Sequence, residues 1–140
     1  TAVKDGDHYI LNGEKIYVTS GARADCVVVW ATLDRSVGKA AIKSFVVEHG
    51  TPGMQVTRLE HKLGIKASDT AAISFTDCRV PAENLLGTPE VDIHKGFAGV
   101  MQTFDNTRPL VAAMAVGVAK ASLDRTRELL KDHLSTDYAH

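Results

Sequence analysis

The stretch Phe104-Asp105-Asn106-Thr107-Arg108-Pro109, continuing as LVAAMAVGVA from Leu110 to Ala119, decides how this chain is read. Two charges and several hydrogen-bonding groups come directly before a run, Leu110 to Ala119, that carries no charge. One end of such a segment is wet and the other is buried. A surface helix shows a single apolar stripe; here the apolar character runs around every side, so the helix has to be enclosed by other helices. Only after Lys120 does a mixed face appear, with Asp124, Arg125, Arg127, Glu128, Lys131 and Asp132 set against Leu123, Leu129 and Leu130. A helix from Lys95 to His133, kinked or broken at Pro109, is nearly 60 Å long at 1.5 Å per residue. A globule of this size has a radius of gyration of only about 14 Å. The helix therefore overhangs its own domain and belongs to a C-terminal helical bundle.

Working back toward the N-terminus, the pattern changes from helical to β-rich. Short runs, Tyr9 to Leu11, Lys15 to Thr19, Cys26 to Thr32, Ala41 to Val47, Met54 to Leu59 and Ala72 to Phe75, are separated by turn residues. Asn12-Gly13 between the first two is a hairpin signal, because both residues tolerate positive φ. Gly50-Thr51-Pro52-Gly53 reads as a turn. Strands at this spacing predict a small antiparallel barrel or sandwich rather than alternating βαβ units. No GxGxxG opens a helix. After Pro81, Ala82 to Pro89 is loop chemistry. The expected fold class is α+β: an antiparallel β-barrel or sandwich over residues 1–90, lacking its beginning, and an incomplete helical domain over 91–140.

The bulk numbers exclude several functions. Sixteen basic and 17 acidic residues give a net charge of -1, with no electrostatic footprint for nucleic acid or for an anionic membrane surface. Cys26 and Cys78 match no metal spacing, and a reduced intracellular protein is the simpler reading. The apolar run at 110–119 is too short for a membrane span, which needs about 20 residues, so a soluble protein is expected. The histidines, among them His8, His49 and His61, show no metal spacing either. The chain opens directly into strand-like sequence without an initiator Met, which reads as a fragment.

Three ordered stretches together resemble the acyl-CoA dehydrogenase family across almost the whole chain. Lys15-Ile-Tyr-Val-Thr-Ser-Gly21 is similar to the family's strand beside the flavin. Leu63 to Thr70, then Phe75 to Gly87, is similar to its second signature. Lys95-Gly-Phe97 through Arg108 is similar to the entry of its C-terminal helical domain. The resemblance implies a middle β-domain and helices that sandwich FAD and an acyl-CoA thioester. It implies loss of a proton from the α-carbon and a hydride from the β-carbon, giving a 2-enoyl-CoA. It further implies reoxidation by an electron-transferring flavoprotein, a homotetramer or heterotetramer, and a place in fatty-acid metabolism and lipid degradation. The compartment implied is cytoplasmic in a bacterium, or the mitochondrial matrix in a eukaryote.

Residue by residue, the resemblance places Tyr17, Val18 and Thr19 against the flavin, where an aromatic face and a hydroxyl donor hold the ring. An ordinary strand, with Tyr17 in the core and Thr19 at an edge, is the alternative. Ser68 matches the family serine that bonds the CoA portion of substrate; a plain polar turn is the alternative. Asp105, Asn106, Thr107 and Arg108 match the segment that meets the CoA end, Arg108 being suited to bidentate phosphate binding. Capping around Pro109 with a surface ion pair is the competing account. At the position of Thr107, some branches of the family carry the glutamate base. Threonine cannot be that base, so no catalytic residue is assigned in this chain, and the base is expected beyond His140.

One departure stands out. Where the family carries Arg-x-x-Phe to reach a neighbouring subunit's flavin, this chain has His133-Leu-Ser-Thr136. A redox-silent acyl-CoA-binding or structural subunit of a dehydrogenase heteromer is accordingly the second expectation. An oxidase is a third.

Overall fold

The structure is a computed structural model describing residues 1–93 and 97–137, the side chains of 132–137 excepted. The chain divides into two compact units, Thr1–Phe97 and the segment from Ala98 onward.

The first unit is built from two antiparallel sheets. Strands β1 (Ala2–Asp5), β2 (His8–Thr19), β5 (Met54–Leu59) and β6 (Thr70–Pro81) form one, in the order β1-β2-β6-β5. Strands β3 (Cys26–Thr32), β4 (Ile42–Glu48) and β7 (Leu85–Leu86) form the other, in the order β3-β4-β7. Each sheet turns one face inward. In β3, Val27, Val29 and Ala31 are buried while Cys26 and Val28 are exposed, as a period of two requires. Leu11, Ile73, Val80 and Cys78 from the first sheet meet Phe45 and Val47 from the second. The rings of Tyr9 and Phe45 pack edge to face at 5.1 Å and 62°, an arrangement that adds about 1 kcal/mol beyond burial. The sandwich expected from the sequence is present.

Two local expectations need correction. Asn12-Gly13 is not a hairpin: β2 runs straight through it, and the strand reversal lies at Gly6-Asp7, between Asp5 and His8. Gly6 adopts φ 60 there, which glycine reaches at no steric cost. Asn12 instead marks a β-bulge. The register of β2 on β6 passes from Leu11↔Cys78 to Gly13↔Phe75, which leaves an extra residue on β6. Asp77 is left-handed at φ 47. The slip moves the buried phase of β6 from Ala71, Ile73 and Phe75 to Cys78 and Val80. The second correction concerns Ala82 to Pro89, which is not all loop. A 3-10 turn at Ala82–Asn84 leads into β7, whose Leu85 and Leu86 pair with Phe45 and Ser44. The turn is tied down where Asn84 Nδ2 donates to the Val46 carbonyl at 3.0 Å. The turn at Gly50–Gly53 is found between β4 and β5, with φ 82 and 89 at its glycines.

The second unit is one helix, α1 (Ala98–Asp137), of 40 residues, about 60 Å long at 1.5 Å per residue. Pro109 lies inside it. Asp105 to Arg108 therefore do not open or cap the helix; they occupy its second and third turns. Proline supplies no N–H to the carbonyl four residues back, which is that of Asp105. Around the same turn, Thr107 Oγ1 donates to the Thr103 carbonyl at 3.0 Å, and Thr103 Oγ1 to that of Gly99 at 3.0 Å. Both hydroxyls are thus satisfied by the helix's own backbone, and α1 continues through Pro109. Leu110, Val111, Met114, Val116 and Val118 are exposed at 62 to 68%, so the all-round apolar surface read from the sequence is real. The start expected at Lys95 falls outside the described residues.

Candidate functional site

A second bulge builds the site. Between Lys15↔Ile73 and Val18↔Ala71 the pairing of β2 on β6 slips again, with the extra residue now on β2. Tyr17 occupies the slip in the left-handed region, φ 60, and is 69% exposed. A tyrosine pays of order 1 kcal/mol for that backbone. The other neighbour of β6 slips at the same level: β5 changes register between Val56↔Ile73 and Arg58↔Ala72. Thr57, the extra residue, donates its hydroxyl to the Ala72 carbonyl at 3.2 Å. Both ladders thus break around Ala72, and the bulge on β2 presents Tyr17 outward instead of burying it. Of the two readings of Tyr17, the core one is excluded. Val18 is half-buried and Thr19 exposed beside it, so an aromatic face and a hydroxyl share one strand end. A planar, partly polar ring system fits that pair.

Ser68 lies on the loop joining β5 to β6, at the rim of a hollow of about 330 Å³ lined by Glu60, His61, Lys62, Lys66 and Asp69 among others. The loop is internally braced. Lys62 Nζ donates to the Ser68 carbonyl at 2.5 Å, Ser68 N–H to the Ile65 carbonyl at 3.3 Å, and Glu60 N–H to the Thr70 carbonyl at 2.8 Å. Ile65 is left-handed at φ 51. Beyond Glu60, Arg58 Nε and Nη2 both donate to Glu60 Oε1, at 3.0 and 2.7 Å. That carboxylate holds the Arg58 guanidinium above its ordinary pKa.

Asp69 ties this loop to the strand carrying Tyr17–Thr19. Its carbonyl accepts Ser20 N–H at 3.0 Å and its carboxylate accepts Ala22 N–H at 3.2 Å, with Arg23 Nε at 3.5 Å. The turn thus held is closed by Arg23 N–H and Ala24 N–H on the Ser20 carbonyl, at 3.0 and 2.8 Å. Gly21 fits where no side chain could, since a Cβ there would stand 2.9 Å from that of Ala71. The sequence reading missed Asp69, Lys62 and Thr57. Only the pairing of a turn at Ser20-Gly21 with an acidic residue beside Ser68 hinted at the first.

On α1, Arg108 packs over the Phe104 ring at 5.2 Å. Successive helix positions rotate by about 100°, so Asp105 and Arg108 share a face while Asn106 and Thr107 point away from it. Thr107 spends its hydroxyl on the helix backbone. The four consecutive residues do not converge on one point. At 133–136 the helix continues, but the side chains there lie outside the described residues.

The described architecture is a two-sheet antiparallel β-unit with an exposed aromatic and hydroxyl on a bulged strand, followed by one long helix. Residues 1–78 match the acyl-CoA dehydrogenase middle domain, and residues 94–137 match the acyl-CoA dehydrogenase C-terminal domain. The chain belongs to the acyl-CoA dehydrogenase family. It is 40% identical over 131 residues to the short-chain specific acyl-CoA dehydrogenase of Clostridium acetobutylicum, covering 94% of this chain and 34% of that protein. To the mitochondrial short-chain specific acyl-CoA dehydrogenase of Rattus norvegicus it is 46% identical over 124 residues, covering 89% and 29%. Its fold superposes on butyryl-CoA dehydrogenase from Megasphaera elsdenii with a TM-score of 0.83 at 44% identity, covering 91% of this chain and 32% of that one. The chain thus spans about a third of the length of the relatives it matches. Among the described residues no helix is long and apolar enough to cross a membrane.

Proposed function

We propose that this chain is part of an FAD-dependent acyl-CoA dehydrogenase that converts a short-chain acyl-CoA to its 2-enoyl-CoA. The observation that carries the reading is the outward, left-handed Tyr17 with exposed Thr19 beside it, in a chain that belongs to this family. Tyr17, Val18 and Thr19 hold the flavin, which when bound supplies the hydride acceptor. The Tyr17 ring packs against it and the Thr19 hydroxyl donates to its polar edge. Ser68 and Arg108 take the CoA moiety, Ser68 by hydrogen bonding and Arg108 by its charge on phosphate. Asp105 shares the Arg108 face, and the Phe104 ring under the guanidinium orients it; Asn106 and Thr107 contribute on the flanks of the helix.

The short-chain preference rests on the names of the relatives. No α-proton base is assigned among these residues: Thr107 has no basic group and bonds its own helix. An electron-transferring flavoprotein is the electron acceptor. The bare apolar surface of α1 is covered by neighbouring helices of an oligomer, as an exposed patch of that extent demands. In this reading residues 1–90 serve as the middle domain and 91–140 begin the helical one. The compartment is the cytoplasm in a bacterium or the mitochondrial matrix in a eukaryote, a reading supported by relatives that include a bacterial protein and one named mitochondrial.

The test is the visible absorption of the whole purified protein before and after anaerobic addition of butyryl-CoA and of a long-chain acyl-CoA. Bleaching of a flavin band by butyryl-CoA first is expected. A protein that binds acyl-CoA yet carries no flavin would replace this reading with a redox-silent subunit.

A further inference from the structure

We propose that Asp69 is a positioning residue that sets the flavin-side strand relative to the thioester-side loop; this rests on the function proposed above. Three contacts leave one residue for one turn: Ser20 N–H on its carbonyl at 3.0 Å, Ala22 N–H on its carboxylate at 3.2 Å and Arg23 Nε on the same group at 3.5 Å. The Asp69 side chain is only 14% exposed whereas that of Arg23 is 77% exposed, so the inner bond to Ala22 N–H is the shielded one. An exposed ion pair alone contributes little; a backbone donor with a charged acceptor is the stronger contact.

The placement gives these bonds a role beyond stability. Thr19 pairs with Thr70 and Val18 with Ala71, so the turn at Ser20–Ala24 begins where the Tyr17–Thr19 segment ends. Ser68 immediately precedes Asp69 and is fixed from the other side by Lys62 on its carbonyl. Ser20 itself is left-handed at φ 56, a conformation that a serine keeps only when its surroundings impose it. A shift of the loop therefore moves Thr19 through the backbone pairs at Thr70 and the Asp69 carbonyl, and the Asp69 side chain fixes the turn that follows by holding Ala22 N–H. Charge alone would not suffice; the reach from the Asp69 backbone to Ala22 N–H is what counts.

The experiment uses the full-length protein with added FAD and butyryl-CoA, comparing Asp69→Ala, Asp69→Glu and Asp69→Asn. Asp69→Asn keeps an oxygen at the same reach and is expected to stay within about twofold of the parent in FAD affinity. Asp69→Ala removes the acceptor, and Asp69→Glu keeps the charge but adds a methylene. Both are expected to lose about tenfold in FAD affinity, to shift the flavin band at saturating FAD, and to be reduced more slowly by butyryl-CoA. A purely stabilising role would lower the melting temperature and leave the band and the reduction rate at saturating FAD unchanged. That result in Asp69→Ala overturns the proposal. Should Asp69→Ala fail to fold, Asp69→Glu decides: a parental band and rate overturn the proposal, and an altered band with parental behaviour in Asp69→Asn supports it. If the parent protein itself carries no flavin, the functional reading has failed rather than the role of Asp69.

Discussion

Asn12 and Asp77 hold each other across the β2–β6 ladder. The Asp77 N–H donates to Asn12 Oδ1 at 2.8 Å, and Asn12 Nδ2 donates to Asp77 Oδ1 at 3.1 Å. The amide of Asn12 thus completes the ladder where the extra residue of β6 would leave a backbone donor open. Asn12→Ala removes both bonds and should lower stability by about 1–2 kcal/mol, with strand content unchanged by circular dichroism. A denaturation midpoint equal to that of the parent would show that the bulge needs no side chain to hold it.

The glycines of the β4–β5 turn separate backbone strain from crowding. Gly50 has φ 82 with nothing within 4 Å of an added Cβ, whereas at Gly53, φ 89, that Cβ would lie 2.4 Å from the Thr76 carbonyl oxygen and 2.8 Å from Cys78 Cα. Gly50→Ala should cost about 1 kcal/mol for the left-handed backbone alone. Gly53→Ala adds collision with main chain and should cost at least about 3 kcal/mol. Thermal melts of the two variants check the order.

The two cysteines differ in what titration does to them. Burial pushes the Cys78 thiol above its ordinary pKa, while Cys26 is exposed. A thiol pKa raised by folding means that folding favours the protonated form. The contribution is fully present below the ordinary thiol pKa and is lost as pH rises through the raised one. A thiol reagent at neutral pH should therefore modify one cysteine, Cys26, and modify Cys78 only on unfolding or at strongly alkaline pH. Equal rates at both sites by mass spectrometry would contradict this.

Pro109 is tolerated, not favoured, within α1. Pro109→Ala supplies the missing N–H to the Asp105 carbonyl and removes a penalty of about 3 kcal/mol in an isolated helix. A peptide of residues 98–131 carrying the change should show clearly more helix by circular dichroism than the parent peptide. Equal helicity would contradict this.

Much of the fold was legible because it follows from side-chain period. Cys26 to Thr32 and Met54 to Leu59 alternate or are bounded by glycine turns, and their strands lie where expected. What period reading cannot see is a bulge. Asn12-Gly13 has the composition of a hairpin turn, yet its consequence depends on Asp77, which is 65 residues away. β6 was read only as Ala72 to Phe75 because the slip at Asp77 reverses its phase and hides the second half. Pro109 behaves likewise: the sequence predicts a kink or break there, and α1 is continuous through it. At the site, residue types at 17–19 and 68 could be picked out, but Asp69 could not. Its role arises from a contact to Ala22, 47 positions earlier, which no local pattern encodes.

The paired slips of β2 and β5 around Ala72 also bear on how this site can change. Because β6 keeps its own inward residues, Ala71 and Ile73, through that level, position 17 is uncoupled from the core, and what restricts its occupant is the left-handed backbone and not packing. Tyr17→Gly should leave the stability of the protein within about 1 kcal/mol, since relief of the left-handed backbone offsets the added freedom of the unfolded chain, while flavin retention falls. Among occupants that tolerate a left-handed backbone, a library at residue 17 would sort variants by surface chemistry instead of by core packing, which makes this corner of the sheet a place where selection can act without rebuilding the interior.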